Sequence, residues 1–271
     1  MSQCVRVTKM SGAGNDFLVL GPEEAASIGD RLVEWTRHVC RRGDSVGADG
    51  VLVVQAEGVD RVSVRFLNPD GSGTFCGNGS RCAARFACLR GLARSRMVLV
   101  TDWGEIPARV EDRRVILELP APIDVGATSV RVGEQEVHGH LVRAGVPHFI
   151  VRVPALQGSR LAEWGPALRW HPRFAPEGVN VDLVHGSGAE LRIRTYERGV
   201  EGETRACGSG AVAAAFAHRL AGGPATVTVI PASERALLVE LPGPASGPLG
   251  AVLSGDARRI FDGVVSEEAE E

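Results

Sequence analysis

The feature that constrains this fold most is an internal repeat built around two cysteines. One copy reads RFLNPDGSGTFCGNGSRCAARFACLRG and the other reads RTYERGVEGETRACGSGAVAAAFAHRLAG. In both, a strand-like run leads into a polar glycine-rich loop, then Cys-Gly-x-Gly, then a small-residue segment that ends at glycine. The matching cysteines, Cys76 and Cys207, lie 131 positions apart in a chain of 271 residues. The simplest account is a chain of two similar halves, each carrying one copy.

Each copy predicts a helix that begins directly after its cysteine. Residues 211–217 are apolar on every side, and a helix of that kind is buried, here inside a curved sheet. Gly91 and Gly222 stand where these helices should end. Outside the repeat, residues 24–40 predict one further helix.

Most of the remaining chain predicts short strands, because apolar and polar residues alternate between Gly, Pro and Asp turns. In ELRIRTY, for example, Leu191 and Ile193 share one face and Arg192 and Arg194 the other. The clearest strands are Val5 to Lys9, Arg61 to Leu67, Arg114 to Leu119, Glu190 to Tyr196 and Ala225 to Ile230.

Length and composition limit the classes of protein to which this chain can belong. The length favours two domains, and Pro120 to Asp124 is the best candidate for the joint between them. With 30 basic and 33 acidic residues in mixed order, no nucleic-acid footprint is expected. The first residues lack a signal-peptide pattern and no apolar run reaches membrane-spanning length, so we expect a cytoplasmic protein without a membrane partner. Its six cysteines are then expected to be free thiols.

A single lysine, Lys9, bears on cofactor use. A pyridoxal-phosphate enzyme needs a lysine for its Schiff base, and arginine cannot replace it. Lys9 lies in the predicted first strand, two residues before a glycine-rich turn. Strand lysines can form Schiff bases, so this observation disfavours pyridoxal phosphate without excluding it.

The position of the two cysteines suggests acid and base chemistry. A cysteine at the first turn of a helix meets unpaired backbone N–H groups and the positive end of the helix dipole, which favour the thiolate. The same N–H groups can bind a carboxylate. An amino acid held between two such turns would have its α-carbon between two sulfurs, and a thiolate opposite a thiol could invert that carbon. This scheme requires no metal and no organic cofactor.

A lone cysteine is more often an inert core residue than a catalyst. Two cysteines in matched Cys-Gly-x-Gly contexts are hard to obtain from packing alone, so we interpret Cys76 and Cys207 as functional. The remaining cysteines lack that context and are interpreted as buried or incidental thiols: Cys4, Cys40, Cys82 and Cys88.

Five motifs in order resemble those of the diaminopimelate epimerase family: KMSGAGNDF, NPDGS, CGNGSRC, GVNV and YERGVEGETRACGSG. The resemblance runs from Lys9 to RIFDG near the C-terminus. It implies an α/β (α+β) fold of two pseudosymmetric halves, each a curved, mostly antiparallel sheet or barrel around a central helix, with the active site in the cleft between them. The expected halves are residues 1–123 with Cys76, rejoined by residues 254–271, and residues 124–253 with Cys207. A homodimer is possible.

The resemblance also implies roles for individual residues. Cys76 and Cys207 would be the acid and base in a cofactor-independent interconversion of LL- and meso-diaminopimelate, a step in lysine and peptidoglycan precursor biosynthesis. His148 and Glu197 would tune the protonation of the cysteines. Amides at four positions would hold the α-carboxylate: Gly77, Asn78, Gly208 and Ser209. Other side chains would hold the rest of the substrate, including its distal end: Asn15, Asn68, Asn180, Glu197 and Arg198.

Several of these residue types suit such roles without the resemblance. Arg198 can bind a carboxylate with two parallel hydrogen bonds, and Glu197 can pair with an ammonium group, although both could form ordinary surface ion pairs. Asn15 and Asn68 could equally hold turns. His148 could be a structural histidine with its hydrogen bonds satisfied.

Departures from the family pattern leave other functions open. The chain has Gly-Val-Pro-His at 145–148 where the family usually has Gly-Asn-Pro-His, and Val146 cannot replace the side-chain amide. The loop from Asn68 to Cys76 looks one residue short, and one residue looks added between Glu197 and Cys207. The alternatives are a racemase of another amino acid, of the proline or histidine type, a non-catalytic amino-acid-binding protein, and a thiol redox or zinc protein.

Overall fold

The computed structural model describes residues 4–73 and 75–270. The outermost residues of the predicted halves, 1–3 and 271, and Thr74 of the predicted short loop lie outside the described residues. The chain divides into two compact units. The first contains Met1–Leu117 and Gly255–Glu271, and the second contains Glu118–Ser254.

The first unit is a sheet with eight strands among its described residues. Its strands are β1 (Val5–Gly12), β2 (Asn15–Leu20), β3 (Gly50–Gly58), β4 (Arg61–Leu67), β5 (Arg96–Thr101), β6 (Gly104–Glu111), β7 (Arg114–Leu119) and β17 (Arg258–Val265). Across the sheet the neighbours follow the order β17, β1, β2, β3, β4, β5, β6, β7. The last two residues of β7 belong to the second unit.

The second unit contains a sheet of the same kind. Its strands are β8 (Ile123–Val132), β9 (Gln135–Ala144), β10 (Val146–Arg152), β11 (Asn180–Ser187), β12 (Glu190–Glu197), β13 (Gly202–Thr204), β14 (Thr226–Ile230), β15 (Leu237–Glu240) and β16 (Ala251–Asp256). The neighbouring strands follow the order β8, β9, β10, β11, β12, β14, β15, β16, and the short β13 lies beside β12. The last two residues of β16 belong to the first unit.

The two sheets repeat one pairing scheme. In both, the successive neighbours are antiparallel, antiparallel, parallel, antiparallel, parallel, antiparallel and antiparallel. A parallel pair needs a crossover connection, which in proteins is usually helical. Both parallel pairs of each sheet are joined in this way. The predicted duplication is therefore present in the strand order as well as in the sequence.

The second crossover of each unit is the helix that the repeat predicts. Helix α3 (Gly77–Leu89) begins directly after Cys76, and helix α5 (Gly208–Leu220) begins directly after Cys207. Gly91 and Gly222 follow these helices with φ of 68° and 92°, a conformation that favours glycine, as predicted. Helix α3 packs against β1 to β6, and α5 packs against β9 to β12, β14 and β15. Each helix is central to its own sheet, which confirms the predicted α/β class.

The first crossovers differ from the prediction. Instead of one helix over residues 24–40, the chain forms α1 (Pro22–Ile28), a 3-10 turn, and α2 (Leu32–Val39). The break falls at Gly29, whose φ of 61° is incompatible with a continuous helix. The corresponding crossover of the second unit is α4 (Leu161–Arg169). In the described part of the chain, no helix has the length and apolar character needed to span a membrane.

Candidate active site at two helix starts

Cys76 caps the start of α3 in the first unit. Its backbone is extended, with φ −136° and ψ 110°, and its sulfur accepts a hydrogen bond from the Gly79 N–H at 3.4 Å. The sulfur therefore lies among the unpaired N–H groups of the first helical turn, where the positive end of the dipole favours negative charge. This is the local geometry that the sequence predicted for a reactive cysteine.

A chain of hydrogen bonds fixes the side chains beside this helix start. Arg81 donates to Asn78 Oδ1 at 2.7 Å, Asn78 Nδ2 donates to Asn15 Oδ1 at 2.6 Å, and Asn15 Nδ2 donates to Asp49 Oδ2 at 2.9 Å. A guanidinium only donates and a carboxylate only accepts, so the orientation of both amides is determined. The structure thus brings Asn15 and Asn78 together, and it adds Arg81 and Asp49, which the sequence analysis missed.

Asn68 is held within its own turn. Its side-chain amide donates to Ser72 Oγ at 3.0 Å, and its backbone N–H donates to the Ser72 carbonyl at 2.8 Å. Further along this loop, Phe75 stacks on Trp103 with ring centroids 4.5 Å apart. Asn68 therefore holds a turn, which was one of the two roles considered for it. Its contact with a substrate stays a prediction.

Cys207 caps the start of α5 with the same extended backbone, φ −123° and ψ 116°. Its surroundings differ from those of Cys76, because it is only 5% exposed and its sulfur lies 3.4 Å from Ser209 Oγ. Ser209 Oγ in turn lies 3.0 Å from His148 Nε2. His148 thus reaches Cys207 through the Ser209 hydroxyl.

Two further buried residues complete this network. His148 Nδ1 lies 2.7 Å from Asp182 Oδ2, and Thr195 Oγ1 donates to Asp182 Oδ1 at 2.7 Å. His148 and Asp182 are completely buried, and Thr195 is nearly so. Asp182 and Thr195 were not predicted from the sequence. Asp182 is two positions from Asn180 on β11, so the two share a face, and polar residues repeated on one face of an otherwise apolar strand were the available signal.

Glu197 lies against Cys207. Its carboxylate accepts a hydrogen bond from Thr204 Oγ1 at 2.7 Å. Burial raises the pKa of Glu197 above its usual value and the charge of Asp182 acts in the same direction, whereas the Thr204 hydrogen bond, His148 and Cys207 oppose the shift. Glu197 is therefore positioned to influence the protonation of Cys207, as the family resemblance implies.

The electrostatics of Cys207 are dominated by its burial. Burial raises the pKa of the Cys207 thiol well above its ordinary value, and the negative charges of Glu197 and Asp182 act in the same direction. The hydrogen bonds with Ser209 and Gly210 lower it only in part. At this helix start desolvation outweighs the dipole, so Cys207 is a thiol at neutral pH, the state that the two-base scheme requires of one member of the pair.

Three of the residues predicted to hold the rest of a substrate, Asn180, Glu197 and Arg198, lie next to one another in the second unit. Asn180 Oδ1 accepts the backbone N–H of Arg198 at 2.7 Å. The Arg198 guanidinium donates to Glu177 Oε2 at 3.2 Å, and Arg143 pairs with the other oxygen of Glu177 at 2.5 Å. Glu177 and Arg143 were not predicted from the sequence. Glu177 thus forms an ion pair with the Arg198 guanidinium, which was predicted to bind a substrate carboxylate.

The single lysine and the remaining thiols have structural surroundings. The Lys9 ammonium lies 2.6 Å from Asp16 Oδ2 and donates to the Gly47 carbonyl. Burial raises the pKa of Cys40 to about 12 and also raises that of Cys82. Cys40, Cys82 and Cys88 are free thiols, as predicted.

Solved structures define the class of fold. The chain is similar to a hydroxyproline epimerase from Agrobacterium vitis with bound trans-4-hydroxy-L-proline, with a TM-score of 0.73, 16% identity, and coverage of 98% of this chain and 93% of that one. It is also similar to a phenazine biosynthesis protein of the PhzF family from Enterococcus faecalis, with a TM-score of 0.70, 12% identity, and coverage of 97% and 99%. The fold is therefore the duplicated α/β fold shared by these proteins.

Sequence relatives are more specific. The family described as "Diaminopimelate epimerase" matches residues 7–119 and 140–244. A diaminopimelate epimerase of Hydrogenobaculum sp. (strain Y04AAS1) is 35% identical, over 97% of this chain and 99% of the relative. One from Aquifex aeolicus (strain VF5) is 36% identical, over 96% and 97%. The chain belongs to the diaminopimelate epimerase family.

Proposed function

We propose that this protein interconverts LL- and meso-diaminopimelate by moving an α-proton between Cys76 and Cys207. Membership of the diaminopimelate epimerase family supports the substrate and the reaction. The observation that carries the mechanism is the duplicated geometry, in which each cysteine caps a buried helix of its own unit. Epimerisation needs one group to remove the proton and another to return it on the opposite face.

The first turns of the two helices supply the remaining chemistry. In the proposal, N–H groups of Gly77 and Asn78 at α3, and of Gly208 and Ser209 at α5, bind the α-carboxylate. An α-proton beside an ammonium group is only weakly acidic, so fixed donors must stabilise the negative charge that develops on the carboxylate side. Helix N-termini are suited to that task because their N–H groups are already oriented.

The unequal surroundings of the sulfurs suggest a resting state. Burial and the charge of Glu197 keep Cys207 protonated, so we assign Cys207 as the resting acid. The Cys76 sulfur accepts a hydrogen bond from a helix N–H, which suits the base. His148 and Glu197 adjust the Cys207 proton, as the family resemblance implies.

Distal-end recognition is assigned to the residues that the resemblance names: Asn15, Asn68, Asn180, Glu197 and Arg198. Arg198 binds the distal carboxylate with its guanidinium fork, which requires the substrate to replace Glu177 on that side chain. Val146 stands where the family usually has an asparagine and contributes no hydrogen bond. Asn180 is already oriented by the Arg198 backbone.

The experiment is an isotope-exchange assay on the reduced protein without pyridoxal phosphate or metal. LL-diaminopimelate in D₂O should gain α-deuterium and yield the meso isomer. Cys76→Ala and Cys207→Ala should each abolish epimerisation, whereas Cys88→Ala, which removes a thiol from the same helix as Asn78, should keep it. Full activity of either catalytic variant would refute the two-base mechanism. Exchange of proline or histidine but not of diaminopimelate would reassign the substrate.

The proposal extends to assembly and location. We assign the two units as the halves predicted from the repeat, and the cytoplasm as the compartment, because two catalytic thiols need reducing conditions. A homodimer is supported by β17, where Ile260, Phe261 and Val264 are 53%, 44% and 61% exposed. Phe261→Glu should convert a dimer into a monomer in sedimentation analysis, and exposed Val59→Glu is the control. A monomeric wild type would refute the dimer.

A further inference from the structure

Ser209 is the residue that connects Cys207 with the buried pair of His148 and Asp182. Its hydroxyl lies 3.4 Å from the Cys207 sulfur and 3.0 Å from His148 Nε2. Building on the proposed function, we propose that the Cys207 proton reaches His148 through the Ser209 hydroxyl, and that Asp182 is the positioning residue that holds His148 in the orientation and tautomer this transfer needs.

The surroundings of His148 determine its tautomer. Asp182 Oδ2 lies 2.7 Å from Nδ1, and an ionised carboxylate only accepts hydrogen bonds, so Nδ1 carries a hydrogen. On the other side of the ring, Asn180 Nδ2 lies 3.4 Å from Nε2. The Asn180 amide is oriented with its NH₂ toward the ring, because its oxygen accepts the Arg198 N–H. Nε2 therefore faces donors and is the basic nitrogen.

This tautomer sets the direction of the hydrogen bonds. With Nε2 as acceptor, the Ser209 O–H donates to His148, and the Ser209 oxygen is left to accept the Cys207 S–H. The transfer then moves two protons in one direction. The S–H proton passes to the Ser209 oxygen as the Ser209 proton passes to Nε2, which leaves a thiolate, an intact hydroxyl and an imidazolium. The Nδ1–H bond to Asp182 is kept throughout, and the carboxylate stabilises the imidazolium charge.

The packing around Asp182 restricts its carboxylate to contacts inside the protein. It is completely buried, its second oxygen accepts the Thr195 hydroxyl, and it does not face solvent. It can approach helix α5 because position 210 is glycine, where an added Cβ would lie 2.7 Å from Asp182 Oδ1. The relay makes Cys207 available as a base for the reverse direction even though its sulfur is buried.

The central test is Asp182→Asn, which keeps size and shape. The amide oxygen would retain the Thr195 hydrogen bond and turn the NH₂ toward Nδ1, which reverses the tautomer. We expect the protonated nitrogen of His148 to change from Nδ1 to Nε2 in ¹⁵N NMR spectra. We expect kcat for diaminopimelate to fall at least roughly 100-fold, the usual scale of acid and base assistance, with KM changed less than about threefold.

Three variants separate the relay from simple destabilisation. Thr195→Val removes one hydrogen bond to the same carboxylate, so it should leave the tautomer unchanged and lower kcat only a few-fold. Ser209→Ala should keep the tautomer yet lose kcat as Asp182→Asn does, and Ser209→Thr should restore most of it. The proposal is overturned if Asp182→Asn keeps the Nδ1–H tautomer, or if Ser209→Ala keeps wild-type kcat.

The two proposals can fail separately. If the wild-type protein does not epimerise diaminopimelate, the proposed function fails, but the tautomer in wild type and in Asp182→Asn still decides the role of Asp182. If the wild type is active and Asp182→Asn changes only the thermal unfolding midpoint, Asp182 is a structural residue and the relay is refuted.

Discussion

The two units place different side chains at equivalent positions under their helix starts. In the first, Leu52 on β3 pairs across the sheet with Phe66, and Phe17 contacts Phe66 edge to face with ring centroids 5.8 Å apart. All three are buried and apolar. In the second, the equivalent strands carry Asp182 paired with Thr195, and His148.

The registers establish this equivalence. Phe17 on β2 aligns with Gly50 on β3, two residues before Leu52, and His148 on β10 aligns with Asn180 on β11, two residues before Asp182. We call Phe17, Leu52 and Phe66 the apolar trio, and His148, Asp182 and Thr195 the polar trio. One backbone arrangement thus supports a hydrophobic core below Cys76 and a hydrogen-bonded network below Cys207.

The difference shows that fold and chemistry are set by separate residues. The backbone needs only that each trio fill its space without unsatisfied groups, and both trios do so, one by apolar packing and the other by mutual hydrogen bonding. The polar trio adds charge behind Cys207. Two cysteines with similar local sequences therefore have different surroundings.

The largest expected effect comes from placing a charge in the apolar trio. Leu52→Asp would bury a carboxylate against Phe17 and Phe66 with no partner equivalent to His148. We expect the free energy of unfolding to fall by more than about 4 kcal/mol, since an unpaired buried charge is among the most costly substitutions. Urea denaturation measures it. Leu52→Met, which conserves volume, should cost less than about 1.5 kcal/mol. If Leu52→Asp and Leu52→Met lowered the free energy of unfolding equally, the space filled by the apolar trio could hold a charged side chain as the polar trio does.

A smaller effect is expected at the glycines of the first helical turns. A Cβ at position 210 would lie 2.7 Å from Asp182 Oδ1, which is fixed by its own hydrogen bonds, whereas a Cβ at position 79 would meet a Leu52 methyl at 3.2 Å. Gly210→Ala should therefore lower the free energy of unfolding by about 1–3 kcal/mol. The free energy of unfolding of Gly79→Ala should remain within about 1 kcal/mol of wild type, because the higher helix propensity of alanine offsets the tight contact. Thermal unfolding of the two variants compares them directly, and the opposite ranking would contradict the assigned packing.

The sequence predicted those parts of the fold and site that depend on local pattern. The repeat around Cys76 and Cys207 predicted both central helices, their first residues and their terminal glycines, because helix starts and stops are set by neighbouring residues. Alternation predicted the strands at Arg61–Leu67 and Arg114–Leu119 with the observed bounds. The helix predicted over residues 24–40 was wrong at its centre, since Gly29 permits a break that the apolar pattern does not reveal.

The missed residues belong to contacts between strands distant in sequence. Asp182 and Thr195 meet only because β11 and β12 pair in one register, and the Asn15 contact to Asp49 joins segments 34 positions apart. No local pattern encodes such pairings. The sequence did not predict which cysteine is the thiol for a related reason, because the helix dipole is a local effect whereas burial and the charge of Glu197 are tertiary.

The smallest expected effect concerns that charge. Glu197 raises the pKa of Cys207, so replacing its carboxylate by a neutral amide in Glu197→Gln should lower that pKa and increase the thiolate fraction at pH 8. Because the thiolate is the reactive form, alkylation of Cys207 by iodoacetamide should accelerate roughly threefold to tenfold, as judged by site-resolved mass spectrometry. Glu203→Gln, which removes a carboxylate paired with Arg194, is the matched control and should leave the rate unchanged. A slower reaction in Glu197→Gln would mean that Glu197 acts on Cys207 by opening access to the sulfur and not through its charge.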